Sequence, residues 1–203
     1  MRLTGVYPPI ATPFTPSGDL DPAALAANIA RWNDTGLGGY VVAGSNGESA
    51  LLEPEEVVAL TRIARQTAAP DKLVIAGTGL QSTRATIDLS MAAAEAGADA
   101  VLVMTPSFFG AQVSDAAMIR HYEAIADASS VPVVAYNVPK FTHLNLSPET
   151  VARKIAATVQ TLGADRFDLK YANGTLEHGK LLHSIELYGT VVAPMVHDLL
   201  ARG

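Results

Sequence analysis

Short apolar segments return along this chain at intervals of about thirty residues, and the stretches between them carry helical periodicity. The apolar segments are Val6–Ala11, Gly39–Ala43, Leu73–Ala76, Ala100–Met104, Val131–Ala135 and Arg166–Leu169. That spacing is the length of a strand, a helix and their two turns, the βαβ unit. The segments are apolar throughout instead of alternating, which predicts strands buried on both faces, as in a parallel sheet covered by helices. The intervening stretches have helix signals of their own. Pro22–Trp32 carries Leu25, Ile29 and Trp32 at helical spacing behind Asp21 as N-cap. Pro54–Thr67 has Glu53, Glu55 and Glu56 at its start, where the helix dipole favours carboxylates. Ser82–Ala96 ends at Gly97, a C-cap signal. Asp115–Ala126 and Pro148–Thr158 follow the same plan, the latter with Ser147 as cap and Pro148 at the first helical position.

Two α/β architectures accept such a pattern, a (β/α) barrel and an open doubly wound sheet. A dinucleotide-binding doubly wound sheet would show Gly-x-Gly-x-x-Gly after its first strand. Here the first strand runs into Thr12-Pro13-Phe14, and Gly77-Thr78-Gly79, after a later strand, lacks the third glycine. The favoured fold class is therefore α/β of the (β/α)8 TIM-barrel type, in one domain covering residues 1–203. A barrel builds its active site at the C-terminal ends of its strands. Thr12, Gly44 to Glu48, Thr78, Thr105, Tyr136 and Lys170 all fall at or just after those ends. Each alone reads as a cap or turn residue, but no packing rule requires hydroxyls, a tyrosine and a lysine there together. Lys170 ends the sixth segment, Asp168-Leu169-Lys170. A lysine at the inner end of a buried strand is costly as a cation, and its neutral amine attacks ketones to form a Schiff base. The alternative is a lysine that caps the strand and points to water.

Composition removes other chemistries. The chain has no cysteine, which excludes disulfides, thiol nucleophiles and cysteine metal sites. Its five histidines show no metal-ligand spacing at a strand end, so no metal is expected. The formal net charge is −6 and there is no basic cluster, so nucleic acid is not an expected partner. No apolar leader or bilayer-length apolar run occurs in it, so a soluble cytoplasmic protein without membrane contact is expected.

Several segments together are specific. Pro8-Pro9-Ile10-Ala11-Thr12-Pro13-Phe14, Gly44-Ser45-Asn46-Gly47-Glu48, Gly97-Ala98-Asp99-Ala100, Thr105-Pro106, Tyr136-Asn137-Val138-Pro139 and Asp168-Leu169-Lys170 resemble the pyruvate-dependent class I aldolase superfamily of dihydrodipicolinate synthase and N-acetylneuraminate lyase. The likeness is continuous from about Gly5 to Ala152 and patchy afterwards. Gly-Ser-Asn-Gly-Glu, Val6-Tyr7-Pro8-Pro9 and Met118-Ile119-Arg120-His121-Tyr122 lean towards its 4-hydroxy-2-oxoglutarate aldolase branch. The resemblance implies a lyase without cofactor, acting on a small 2-oxo acid in a homo-oligomer. Lys170 would form an imine with the ketone of pyruvate or another 2-oxo acid. Tyr136 would move protons at the substrate oxygen, with Ser45 as relay. Gly44, Ser45 and Asn46 would bind the substrate carboxylate, and Thr12 would support them. The alternatives are dihydrodipicolinate synthase, a sugar-acid lyase, and a member that binds pyruvate without turnover.

Three departures from the family pattern stand out. Ser107-Phe108-Phe109 replaces a tyrosine pair that in the family supplies a proton relay across a subunit contact. The interval from Tyr136 to Lys170 is longer than usual, with the extra length near residues 157–165. The last strands of the barrel are expected to be missing, since Thr190–Met195 is the one apolar stretch after residue 187 and Val196–Gly203 reads as a later helix. The open strand edges would then be covered by a partner chain, by the terminal segment, or not at all.

Overall fold

The structure is a computed structural model that describes residues 3, 5–144, 146–162 and 178–201. Among the described residues, four strands form a parallel sheet: β1 (Gly39–Val42), β2 (Leu73–Gly77), β3 (Ala100–Met104) and β4 (Val133–Tyr136). Their spatial order is β1-β2-β3-β4. Helix α1 (Pro22–Trp32) precedes β1, α2 (Pro54–Thr67), α3 (Thr83–Glu95) and α4 (Asp115–Ala128) follow β1, β2 and β3, and the short α5 (Pro139–Thr142) follows β4. A sheet whose neighbours follow chain order winds one way throughout, whereas a doubly wound sheet reverses at a switch point. The barrel-type winding is the one observed.

Val6–Ala11 pairs with β1 less fully than its apolar character predicts. A single parallel bridge joins Pro9 to Val41, with Ile10 N donating to Val41 O and Val41 N to Pro8 O, both at 3.0 Å. Pro8 and Pro9 have no N–H, so this segment cannot build a full ladder. The sixth expected strand, Arg166–Leu169, lies outside the described residues.

The helix ends follow from their caps. Asp21 Oδ1 accepts from Ala24 N at 2.9 Å, Glu56 accepts from the Glu53 amide at 2.9 Å, and Ser82 Oγ accepts from Ala85 N at 3.3 Å. Each bond satisfies an amide that the first helical turn leaves without a partner.

The chain divides into two compact units, Met1–Gly110 with Ala124–Leu144, and Ala111–Glu123 with Asn145–Gly203. In the first, one face of the sheet gathers Val41, Ile75 and Ala100, with Tyr7, Leu102 and Val134 against them. Register explains the cluster, because Val41 pairs with Ile75, Ile75 with Ala100, and Leu102 with Val134. The N-terminal ends of the strands are tied together by polar groups. Asp99 Oδ2 accepts from Val74 N at 2.8 Å and from Arg65 Nη1 at 3.1 Å. The Arg65 guanidinium also donates to the carbonyls of Lys72, Ala68 and Ala69 at 2.9–3.1 Å. Asn33 Oδ1 accepts from Ala69 N and Tyr40 Oη, at 3.0 and 3.1 Å. Lys72, 6% exposed, donates from Nζ to Thr35 O and Leu37 O at 3.0 and 2.9 Å. Gly97 has φ +102°, and a Cβ there would lie 2.6 Å from Arg65 Cγ. The Gly97-Ala98-Asp99-Ala100 motif is thus a structural one: a left-handed turn, a close approach to Arg65, then the carboxylate that binds it.

In the second unit, α6 (Pro148–Leu162) packs against α8 (Ala193–Ala201) through Ala152, Ile155, Ala156, Val192 and Val196. A single π turn, Tyr188–Val192, joins α8 to α7 (His178–Leu187), so the apolar stretch Thr190–Met195 is helical. Among the described residues no helix is long and apolar enough to cross a membrane.

Two expectations follow. Asp99→Ala leaves the Val74 amide and the Arg65 guanidinium without their shared acceptor, and a loss of about 1–3 kcal/mol is expected in urea unfolding. His121, in α4, is buried edge-on against Tyr122 at 5.3 Å, and burial lowers its pKa. A histidine held neutral by the fold binds fewer protons than in the unfolded chain. Its contribution is complete above the unfolded value of 6.5 and declines as pH falls below that towards the lowered folded value. Urea midpoints measured from neutral pH downwards should therefore fall more steeply for the wild type than for His121→Gln.

Candidate active site

A pocket with about 250 Å³ of free space, its open mouth included, lies at the C-terminal ends of the strands. Ala43, Gly44, Ser45 and Ser49 line it from the segment after β1. Gly77 and Gly79 contribute from β2 and the loop behind it, Leu102 and Met104 from β3, and Tyr136 from the end of β4. Ser45 Oγ lies 3.5 Å from Tyr136 Oη, at the outer limit of a hydrogen bond. A flat sheet would hold β1 and β4 about 14 Å apart at the usual strand spacing. The approach across that span fits a sheet that curls as a barrel wall does.

The segment after β1 is an unusual piece of backbone. Ser45–Gly47 forms a short 3₁₀ turn flanked by two non-glycine residues in the left-handed region, Ala43 at φ 50° and Glu48 at φ 59°. The Gly44 carbonyl accepts from Gly47 N at 2.9 Å and Ser49 N at 3.3 Å, and the Ser45 carbonyl accepts from Glu48 N at 3.2 Å. These closing bonds use the amides of Gly47, Glu48 and Ser49, not those of Ser45 and Asn46. Buried Thr12 donates from Oγ1 to Gly47 O at 2.7 Å and fixes the turn from below. Left-handed non-glycine residues cost about 1–3 kcal/mol and collect at functional sites.

Comparison with known proteins agrees with this geometry. The model of the dihydrodipicolinate synthetase family matches residues 2–179. The chain belongs to that family. A 4-hydroxy-tetrahydrodipicolinate synthase of Methanothrix thermoacetophila is 40% identical over 149 residues, 73% of this chain and 49% of the relative. A probable mitochondrial 4-hydroxy-2-oxoglutarate aldolase of Emericella nidulans is 43% identical over 139 residues, 66% of this chain and 45% of the relative. Among solved structures, YagE of Escherichia coli K12, a prophage protein of the dihydrodipicolinic acid synthase family in complex with pyruvate, superposes with a TM-score of 0.68. It is 37% identical, over 76% of this chain and 51% of its own. The chain spans about half the length of these relatives. Its sheet and helices are part of the (β/α)8 barrel of the dihydrodipicolinate synthetase family.

The described residues singled out in the sequence divide into three groups. Gly44, Ser45 and Tyr136 meet at the pocket. Thr12 and exposed Asn46 belong to the turn without lining the pocket. Thr78 and Thr105 are buried, and neither lines it: Thr78 Oγ1 pairs with Ser90 Oγ of α3 at 2.8 Å. Thr105 follows Val101 and Val103 along β3 by alternation, on the face opposite Leu102 and Met104, and its hydroxyl has no hydrogen-bond partner among the described residues. Lys170 lies outside the described residues. Lys72, the buried lysine described above, is bonded at the N-terminal ends of the strands, opposite the pocket. Met104, Leu102, Gly77 and Gly79 were not singled out. Alternation along β3 carries the signal for Met104, which shares a face with Ala100 and Leu102. Phe108 and Phe109, 80% and 68% exposed, form an edge-to-face pair at 5.1 Å. Gln81 Oε1 holds their loop by accepting from Ser107 N and Phe108 N, both at 2.8 Å.

The left-handed geometry of Glu48 can be checked by substitution. Glu48→Val places a β-branched side chain at positive φ and should lower stability by about 1–2 kcal/mol, whereas Glu48→Gly should not lower it. Thermal unfolding of the two variants measures the difference.

Proposed function

We propose that the chain acts as a Schiff-base lyase on pyruvate or a related 2-oxo acid, making or breaking a carbon–carbon bond in the manner of a 4-hydroxy-2-oxoglutarate aldolase. The observation that carries the reading is the approach of Ser45 Oγ to Tyr136 Oη at the rim of a small pocket. Two hydroxyls at that distance can pass a proton once a substrate oxygen joins them, since catalytic hydrogen bonds are often long before the ligand arrives. In the proposed reaction the neutral amine of Lys170 attacks the ketone carbon, and the carbinolamine loses water to give an imine. The protonated imine draws electrons from the C3–C4 bond, which breaks to release an aldehyde and leave an enamine. Protonation of the enamine and hydrolysis return pyruvate. Tyr136 gives and takes the proton at the substrate oxygen, with Ser45 as its relay. Gly44, Ser45 and Asn46 hold the carboxylate, the last two through amides that the turn itself does not use. Thr12 keeps that turn in place.

A second reading, 4-hydroxy-tetrahydrodipicolinate synthase, is favoured by the 40% identity to the Methanothrix protein. It shares the imine and differs in the aldehyde. The pyruvate bound to YagE, 37% identical to this chain, supports pyruvate as the common substrate of both readings. Neither reading requires a cofactor. A homo-oligomer in the cytoplasm is the setting proposed for the reaction, and the exposed Phe108–Phe109 pair is the surface offered to a second copy.

Incubation with pyruvate and borohydride, followed by peptide mass spectrometry, tests the proposal. A reduced pyruvyl adduct on Lys170 is expected, and Lys170→Ala should lose both the adduct and turnover. Tyr136→Phe should still form the adduct but turn over about 10²–10⁴-fold more slowly. A folded sample that binds pyruvate without any adduct would leave a binding protein in place of a lyase.

A further inference from the structure

We infer that Asn46 is a site of self-modification, where the side-chain amide is displaced by the next backbone nitrogen, and that Thr12 sets how fast this happens. Asn46 and Gly47 are consecutive residues of the 3₁₀ turn after β1. Asparagine followed by glycine is the pair most prone to this reaction, because no Cβ shields the attacking nitrogen. In it, Gly47 N gives its proton to water and bonds to Asn46 Cγ. The Cγ–Nδ2 bond breaks and ammonia leaves, which closes a succinimide ring. Water then opens the ring at either carbonyl. Breaking the new Cγ–N bond leaves aspartate. Breaking the original peptide bond leaves isoaspartate, with the backbone routed through the side chain. Water is the only other reactant, and Asn46 is exposed to it.

The fold both imposes this pair and restrains it. A Cβ on Gly47 would stand 3.0 Å from Ile10 O and 3.3 Å from Thr12 Oγ1, so a side chain there would crowd the backbone beneath the turn. Gly47 N donates to Gly44 O at 2.9 Å, and that bond must break before the nitrogen can attack. A 3₁₀ turn keeps ψ near about −20 to −30°, whereas ring closure has to swing Gly47 N round to face Cγ. Thr12 Oγ1 donates to Gly47 O at 2.7 Å in a buried bond, so it pins the same residue from its other side. Without that hydroxyl the turn opens at lower cost. Isoaspartate adds a methylene to the backbone, which puts the bonds from Gly47 N and Ser49 N to Gly44 O out of register. Either product also leaves a negative charge beside the amides of Ser45 and Asn46. On the lyase reading above, that charge opposes the carboxylate of the 2-oxo acid, and the modification shuts the site.

Peptide mapping by mass spectrometry during incubation at mildly alkaline pH tests the inference. Folded wild type should convert Asn46 at least about tenfold more slowly than the same chain in urea. Asn173-Gly174, the other such pair in the sequence, gives the rate of an unrestrained pair in the urea sample. Thr12→Val should speed conversion in the folded protein about fivefold or more, while Thr12→Ser, which keeps the hydroxyl, should stay near the wild-type rate. If Thr12→Val does not fold, Thr12→Ala supplies the same comparison. Asp99→Ala weakens the fold from the opposite ends of the strands and should leave Asn46 near the wild-type rate. Equal rates in the folded and urea samples would overturn the inference. So would a folded Thr12→Val no faster than wild type, or an Asp99→Ala as fast as Thr12→Val. Calorimetric titration of pyruvate into Asn46→Asp should show binding weakened about tenfold or more. Undiminished binding would overturn the shut-off, and a wild type that binds no pyruvate would overturn the lyase reading with it, whereas the mass readout at Asn46 is independent of both.

Discussion

A site made from the far ends of parallel strands depends on those strands keeping register, and here the register is held from the opposite end. One oxygen of Asp99 takes the amide that opens β2 and the guanidinium of Arg65, which in turn gathers three carbonyls from the turn before β2. Hydrogen bonds to charged groups are worth about 1.5–3 kcal/mol, more than neutral ones. A slip of one residue would exchange the two faces of a strand. Thr105 would replace Met104 towards the pocket, and Ala135 or Asn137 would replace Tyr136. Buried Lys72 and Asn33 bind the loop before β1 into the same cluster, so the polar groups at this end hold the sheet in place and those at the other end are free for chemistry.

The two ends also differ in how the backbone is treated. At the clamped end Gly97 takes the left-handed conformation at no steric cost. At the pocket end Ala43 and Glu48 adopt it with side chains present. The buried bond from Thr12 to Gly47 and the close packing of Gly77 on Ala43 hold the turn against that cost. Strain that the surroundings over-determine is a means of presenting a few backbone groups in fixed positions.

Much of the scaffold was legible in the sequence, because periodicity and caps are local properties. Pro22–Trp32 and Pro54–Thr67 are helices at the expected boundaries, and the four central strands fall where the apolar runs predicted. Val6–Ala11 was read as a strand on the same apolar criterion, but its two prolines withhold the donors a ladder needs. The pocket was legible at Ser45 and Tyr136, where hydroxyls stand next to strand ends. Thr78 and Thr105 looked equivalent in the sequence. Which face of a strand end a residue occupies depends on register with the neighbouring strand, and both threonines turn out not to line the pocket. Met104 was missed for the converse reason: an apolar residue in an apolar strand carries no local mark of lining a pocket.

The π turn at Tyr188–Val192 has a consequence for how this part of the chain can change. Ala193 N reaches back five residues to Tyr188 O, one more than an α-helix allows. Such a turn holds a single surplus residue within an otherwise regular helix. Losing one residue there would restore ordinary helical geometry without rotating Val196 away from Ala152 and Ile155. The same loss within α8 would turn every following side chain by about 100° relative to the residues before it. The π turn is thus the position along α7 and α8 where the loss of one residue would be absorbed without repacking α6.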